Sequence, residues 1–208
     1  MSYLVNPYMV SASGGVLLFD ENYEDSSPWT FVNTQFTVDA GGNGLLKGTA
    51  VPDNSLAQAY RDIGFSLPST YTLKVEYKCT STTNNIYWFS ITENSTQLNS
   101  QAKGVLLRTD TASNMCIATV TSGSFTQSSY DTSFAKDVQY YIKIVNDDTN
   151  ISLSVFTNSD YETGQVGSTL SVTDPNFTTL DTLQHCGRTD GGGGTNYGEI
   201  NNVSIFEP

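Results

Sequence analysis

The chain has 208 residues and a mass of 22.6 kDa, with 9 Lys+Arg against 21 Asp+Glu and a formal net charge of −12. That length fits one large domain or two small ones, and so few cations leave no basic stripe for duplex or single-stranded nucleic acid. No run reaches the roughly 18 apolar residues of a membrane span, so a membrane is not an expected partner either.

Residues 1–15 read as an extended arm. Pro7 forbids an ordinary helix there, and Gly14-Gly15 closes the stretch as a hinge that would let it leave the domain. Tyr3, Leu4, Val5, Tyr8 and Met9 are too apolar to stay free in water. Two expectations stand: the arm docks on a neighbouring protein of a larger assembly, or it adds an edge strand to its own domain. The opening lacks the basic and long apolar regions of a secretory signal, so a product made without export is expected.

Residues 16–208 then repeat one grammar. Val16 to Phe19 is a short apolar strand, followed by an acidic loop with Asp20, Glu21, Glu24 and Asp25. Trp29 to Val32 and Phe36 to Val38 read as strands paired across Asn33-Thr34, with Trp29 assigned to the core. After a Gly-rich turn, Leu45 to Val51 is a strand. Residues 56–65 could form a short helix by propensity; their context between strands favours an extended Ala59 to Ile63.

The clearest segment is Tyr71 to Cys79, in which Tyr71, Leu73, Val75, Tyr77 and Cys79 alternate with polar residues. Strict period two means a strand with one buried and one wet face. Ile86 to Glu93 follows, with Tyr87, Phe89 and Ile91 on one parity and Trp88, Ser90 and Thr92 on the other. Gly104 to Thr109 and Met115 to Thr121 form a hairpin, and Ser122 to Lys136 reads as a polar loop. Val138 to Val145 and Ile151 to Phe156 make a second hairpin. Residues 157–178 read as a long excursion, Leu180 to Arg188 as a strand and Tyr197 to Phe206 as the last one. About a dozen short strands without a convincing helix predict a single all-β sandwich of two packed antiparallel sheets. The core is expected to hold Leu73, Val75, Tyr77, Phe89, Ile91, Ile142, Ile144, Leu153, Val155, Val203 and Ile205. Cys79, Cys116 and Cys186 are too scattered for a metal site, and their odd number predicts buried free thiols.

Two stretches carry a resemblance. Leu17-Leu18-Phe19-Asp20-Glu21-Asn22-Tyr23-Glu24-Asp25 with Trp29, and Tyr197 to Phe206 around Ile200-Asn201-Asn202-Val203, resemble the opening and closing strands of concanavalin A-like lectin/glucanase and laminin-G-type jelly rolls. The opening Met1 to Tyr8 also resembles the start of tailed-phage virion proteins. These resemblances imply a jelly roll with the first and last strand regions side by side. They imply a structural virion protein, a capsid decoration or a tail or fibre component. Its partners would be other virion proteins, further copies of itself, and a polysaccharide. A free-standing carbohydrate-binding module or lectin is the competing class.

The candidate residues follow from those classes. Related glucanases carry alternating carboxylates on one strand, which could act as acid and nucleophile. No such run exists here, so no catalytic residue is assigned. Related modules clip the first strand region to the last with calcium, which takes six to eight oxygens. The matching positions are Asp20, Glu24 and Asn201, and a structural calcium is the one ion the resemblance implies. An amide replaces the expected carboxylate at Asn201, so hydrogen bonds from a buried Asn201 serve equally well and no cofactor is required. Sugar binding needs exposed aromatic platforms beside polar groups, for which Trp88 and Tyr141 are the candidates.

Overall fold

The computed structural model describes residues 15–39, 44–52, 57–81, 86–95, 103–109, 114–177, 179–187 and 195–208; residues 1–14 of the arm lie outside them. Among the described residues there are fifteen strands and no helix. They are β1 (Val16–Glu21), β2 (Thr30–Val32), β3 (Phe36–Val38), β4 (Leu46–Pro52), β5 (Gln58–Asp62), β6 (Thr70–Ser81), β7 (Ile86–Thr92), β8 (Lys103–Thr109), β9 (Met115–Thr121), β10 (Ser124–Gln127), β11 (Gln139–Asp147), β12 (Asn150–Phe156), β13 (Gln165–Thr173), β14 (Thr182–Gly187) and β15 (Thr195–Glu207). One sheet has eight strands in the order β13-β12-β11-β6-β15-β4-β3, with β1 also on β15; the other has seven, β10-β9-β8-β7-β14-β5-β2. All the strand pairings are antiparallel.

β6 lies in the middle of the larger sheet because its alternation is the longest. Val75 stands opposite Ile142 on one side and Val203 on the other, and Leu73 opposite Ile144 and Ile205. These rows continue through Val155 and Leu153 on β12. From the other sheet Phe89, Ile91, Val105, Leu107, Ile117 and Leu183 face them, and every core residue named from the sequence is buried. Cys79, Cys116 and Cys186 are buried and form no disulfide, and burial pushes the Cys186 thiol well above its ordinary value. β1 runs beside β15, with Glu21 opposite Val203.

Several sequence readings are corrected. β2 and β3 are not a hairpin: β2 pairs with β5 and β3 with β4, so the chain crosses between sheets at Asn33, whose φ is +73°. Each short strand finds a longer partner elsewhere. The polar stretch after β9 contains β10, joined by Ser122-Gly123 with both φ values positive (50° and 76°). That is the backbone of a tight hairpin turn; all four β10 residues are exposed, so no alternation marks the strand. The excursion after β12 likewise contains β13, paired to β12. Tyr87 does not share Phe89's register, because β7 carries an extra residue at Trp88: Tyr87 stands opposite Arg108 and Phe89 opposite Leu107. Gly15 is a packing position, not a free hinge, for it is buried and a Cβ there would meet the Glu207 carbonyl oxygen at 2.5 Å.

β13 bends at Gly167 (φ +68°), where the Asp131 carboxylate fills the space of a side chain. Asp131 accepts hydrogen bonds from the Ser168 and Ser133 backbone N–H groups at 2.7 and 2.8 Å. Desolvation pushes its pKa up, but these bonds outweigh it and the net shift is downward. A folded pKa below the unfolded one adds stability above the unfolded value of about 3.9, lost as pH falls through the folded pKa. Asp131→Asn should therefore lower the melting temperature at pH 7 and narrow the gap between wild type and variant below about pH 4. Core and surface should separate cleanly in denaturant titrations: Leu73→Ala should cost about 2–5 kcal/mol and the exposed Thr126→Ala no more than about 0.5 kcal/mol.

Candidate functional site

The acidic opening segment does not behave as one cluster. Glu21 is buried (3% exposed) and points between the sheets, where it accepts from the Tyr23 N–H at 2.6 Å and from Trp29 Nε1 at 3.2 Å. Arg61 of β5 completes the set with an ion pair, its guanidinium lying 5.1 Å from the Phe19 ring centroid. Tyr23 Oη lies 3.1 Å from His185 Nε2, and the imidazole is surrounded by the rings of Trp29, Tyr23, Phe36 and Phe89 at 5.3–6.4 Å. This network ties β1 of the larger sheet to β5 and β14 of the smaller. His185 sits inside an aromatic box closed to solvent, so it acts as a strut.

Asp20, Glu24 and Asn201 are not brought together around one point. Asp20 lies on the solvent side of β1, where its Oδ1 accepts from Ser204 Oγ at 2.7 Å and Asn202 Nδ2 at 3.4 Å. Glu24 is exposed in the turn beyond, with its side chain near Gly44. Asn201 is not the buried residue the sequence predicts: β15 bulges between Ile200 and Asn202, leaving Asn201 out of register with Val203 and Ile205 and only partly buried. Its Oδ1 is enclosed and has no hydrogen-bond partner, so the expected satisfaction by the opening segment is not what this amide oxygen makes. Among the described residues no three His, Cys, Asp or Glu side chains converge.

Tyr141 is half-buried on the outer face of the larger sheet. Tyr161, from the turn between β12 and β13, folds over it edge-on at 5.6 Å. A ring so covered offers little flat platform. On the same face Glu76 is pushed upward in pKa by desolvation and then by the Asp20 charge.

The outer face of the smaller sheet is different. Its centre is closed: Ser90, Gln184 and Gln58 are buried, and Leu106, Ala118, Val120 and Cys186 form a second apolar cluster. Toward the β10 edge the surface opens. Phe125 is 36% exposed, opposite Val120, and Gln127 stands opposite Ala118. Arg108 donates to Gln127 Oε1, and its guanidinium lies 5.5 Å from the Tyr130 ring centroid. The strand next to Arg108 is β7, at the Tyr87–Trp88 bulge. Trp88 thus falls at the inner margin of this patch by backbone position; its side chain lies outside the described residues. An aromatic face, a second ring, a planar cation and an amide side by side are the groups that stack on and hydrogen-bond a sugar.

Solved structures share this architecture. The exoplasmic/lumenal domain of VIP36, in a form bound to Ca2+ and Man3GlcNAc, matches with a TM-score of 0.62 at 12% identity, over 92% of this chain and 90% of that one. A Bacillus licheniformis β-glucanase matches with a TM-score of 0.62 at 11% identity, over 94% and 100%. The fold is the concanavalin A-like jelly roll. The CBM2 module of an evolved Dit from Lactobacillus casei BL23 phage J-1 has the same roll, with a TM-score of 0.57 at 11% identity, over 91% of this chain and 94% of that module. No protein-family model and no curated protein matches the sequence.

Within the jelly roll, the patch at Arg108, Phe125, Gln127 and Tyr130 leaves no alternation in the sequence, because all four β10 residues are exposed. The Ser122-Gly123 pair was the signal that could have found it. The inter-sheet network yields a stability test. Arg61→Ala should cost about 3 kcal/mol or more by leaving Glu21 buried without its cation, and Tyr23→Phe about 1 kcal/mol for one hydrogen bond, both read by denaturant titration.

Proposed function

We propose that this chain is a non-enzymatic structural component of a virus particle, a decoration, tail or fibre protein, whose jelly roll also holds polysaccharide. The observation that carries the sugar-binding part is the patch on the smaller sheet: Phe125 exposed, Tyr130 stacked with Arg108, and Gln127 beside them. The non-enzymatic part rests on the same face. Its outward positions on β7, β8 and β14 among the described residues are Ser90, Thr92, Gly104, Leu106, Arg108, Thr182, Gln184 and Cys186, none of them a carboxylate; β5 adds Gln58, Tyr60 and Asp62, a single carboxylate, which accepts from the Gly64 backbone N–H at 2.7 Å. A glycosidase needs an acid and a nucleophile or base flanking one bond. The virion part is supported by the resemblance of the opening residues and by the phage J-1 neighbour. A free-standing lectin is the second reading, favoured by the VIP36 neighbour solved with a mannose-containing glycan.

Residues 1–14 enter this proposal as the contact to other virion proteins or to a further copy of the chain. The described chain begins at Gly15, already packed on β15. Deleting residues 2–13 should leave the melting temperature within a few degrees while abolishing incorporation into particles or oligomers; unfolding on deletion would assign the arm to the domain instead.

Binding is tested by retardation of the purified chain in gels cast with a panel of polysaccharides. At least one should retard it. Phe125→Ala and Tyr130→Ala should each weaken that binding about tenfold, the scale of one aromatic stacking contact. Reducing or unsaturated ends should not accumulate. Release of such ends would make the protein a hydrolase or lyase, and unchanged binding in both variants would move the site elsewhere.

A further inference from the structure

The outer face of the larger sheet holds a second arrangement, separate from the patch above. Lys74 on β6 and Lys143 on β11 stand directly opposite each other, both on the solvent side of the sheet. Like charges directly across neighbouring strands repel, and this chain has few cations to place. The pair is nonetheless held. The Lys74 ammonium lies 5.1 Å from the Tyr161 ring centroid and 5.0 Å from that of Phe206. Burial and then the Lys143 charge push the Lys74 pKa down, against an opposing pull from Glu162. Among the described residues Lys143 forms no salt bridge.

Lys143 instead lines a cavity of about 140 Å³, together with Gly15, Thr72, Phe206, Glu207 and Pro208. An enclosed cavity of about 150 Å³ holds a benzene ring; this one opens to solvent, so a sugar unit can seat one edge in it with the rest outside. Its walls offer an aromatic side chain, a hydroxyl and an ammonium. The acids nearby are Glu207 at the exposed rim, Glu76, two residues along β6 from Lys74 on the same face, and Glu162, whose charge acts on Lys74. A second negative group entering here would meet Lys143 first, and would relieve its repulsion with Lys74.

We propose that this cavity binds an acidic sugar unit, its carboxylate on Lys143 beside Lys74 and its ring against Phe206. The ligand class is a uronic acid residue of a polysaccharide. The carboxylate supplies charge-assisted hydrogen bonds, the ring supplies contact with Phe206, and Thr72 offers a hydroxyl to the sugar. The site lies on the opposite outer face from Phe125 and Tyr130, so variants of those two residues leave it intact and the two readings fail separately.

The test titrates the full chain with a uronic acid disaccharide, its neutral counterpart, acetate and inorganic phosphate, by calorimetry. The acidic disaccharide should bind at least about tenfold more tightly than the other three, tenfold being the scale of one charge-assisted hydrogen bond. Lys143→Gln should lose about tenfold or more of that affinity, and Glu207→Gln should gain affinity. Without ligand, Lys143→Gln should melt no lower than wild type, because it removes a repulsive neighbour; this separates lost binding from lost folding. Equal binding of the neutral disaccharide, undiminished binding by Lys143→Gln, or acetate or phosphate binding as tightly as the acidic sugar would each overturn the proposal.

Discussion

The alternation along β6 is the constraint on which the rest of the molecule depends. Leu73, Val75 and Tyr77 are buried to within 1% while the alternating Thr72, Lys74 and Glu76 face outward. A slip of one residue would exchange the two sets, putting two charges into the core and three apolar groups into water. Register on β6 therefore fixes β11 and β15 on either side of it, and through β15 the position of β1 and β4. It also decides which side chains the outer face can display, including the Lys74–Lys143 pair.

A sandwich of two such sheets still needs its open edge defined. Here that is done by a carboxylate, not by more apolar surface. Glu21 holds the Tyr23 backbone, the Trp29 indole and the Arg61 guanidinium at once, so the turn after β1 is bound to β5 in the opposite sheet. Burying a charge pair adds little net stability once desolvation is counted, while breaking it is expensive. Its contribution is geometric: the first turn cannot move without exposing an unpaired charge. Trp29 and Tyr23 then wall in His185, which is why the one histidine of the chain is a poor candidate for chemistry.

Much of this was legible in the sequence because alternation is a direct record of burial. Leu73 to Tyr77, Ile142 to Ile144 and Leu153 to Val155 announced their strands, and the closing motif placed β15 beside β1. What failed to show were strands whose burial does not alternate. β10 is exposed throughout, and β13 is exposed over most of its length with a bend at Gly167. Bulges were equally silent. One extra residue at Trp88 and one at Asn201 each shift the register away from simple parity, at two of the candidate site residues. The candidate patch suffered most, since Arg108 on β8 meets the Phe125, Gln127 and Tyr130 stretch only once β10 closes its hairpin on β9.

The outcome is a jelly roll tied between its sheets by the Glu21 network, with an aromatic and amide patch on one outer face and a lysine pair on the other. Hydrogen–deuterium exchange of the intact chain, with and without a neutral polysaccharide that retards it, tests that division most directly. Added protection should fall on β8, β9 and β10 around Arg108 to Gln127, with the inner strands β6 and β15 unchanged on that account. Protection confined to the arm and the opening acidic turn, or spread evenly over both sheets, would contradict a binding face at the β10 edge.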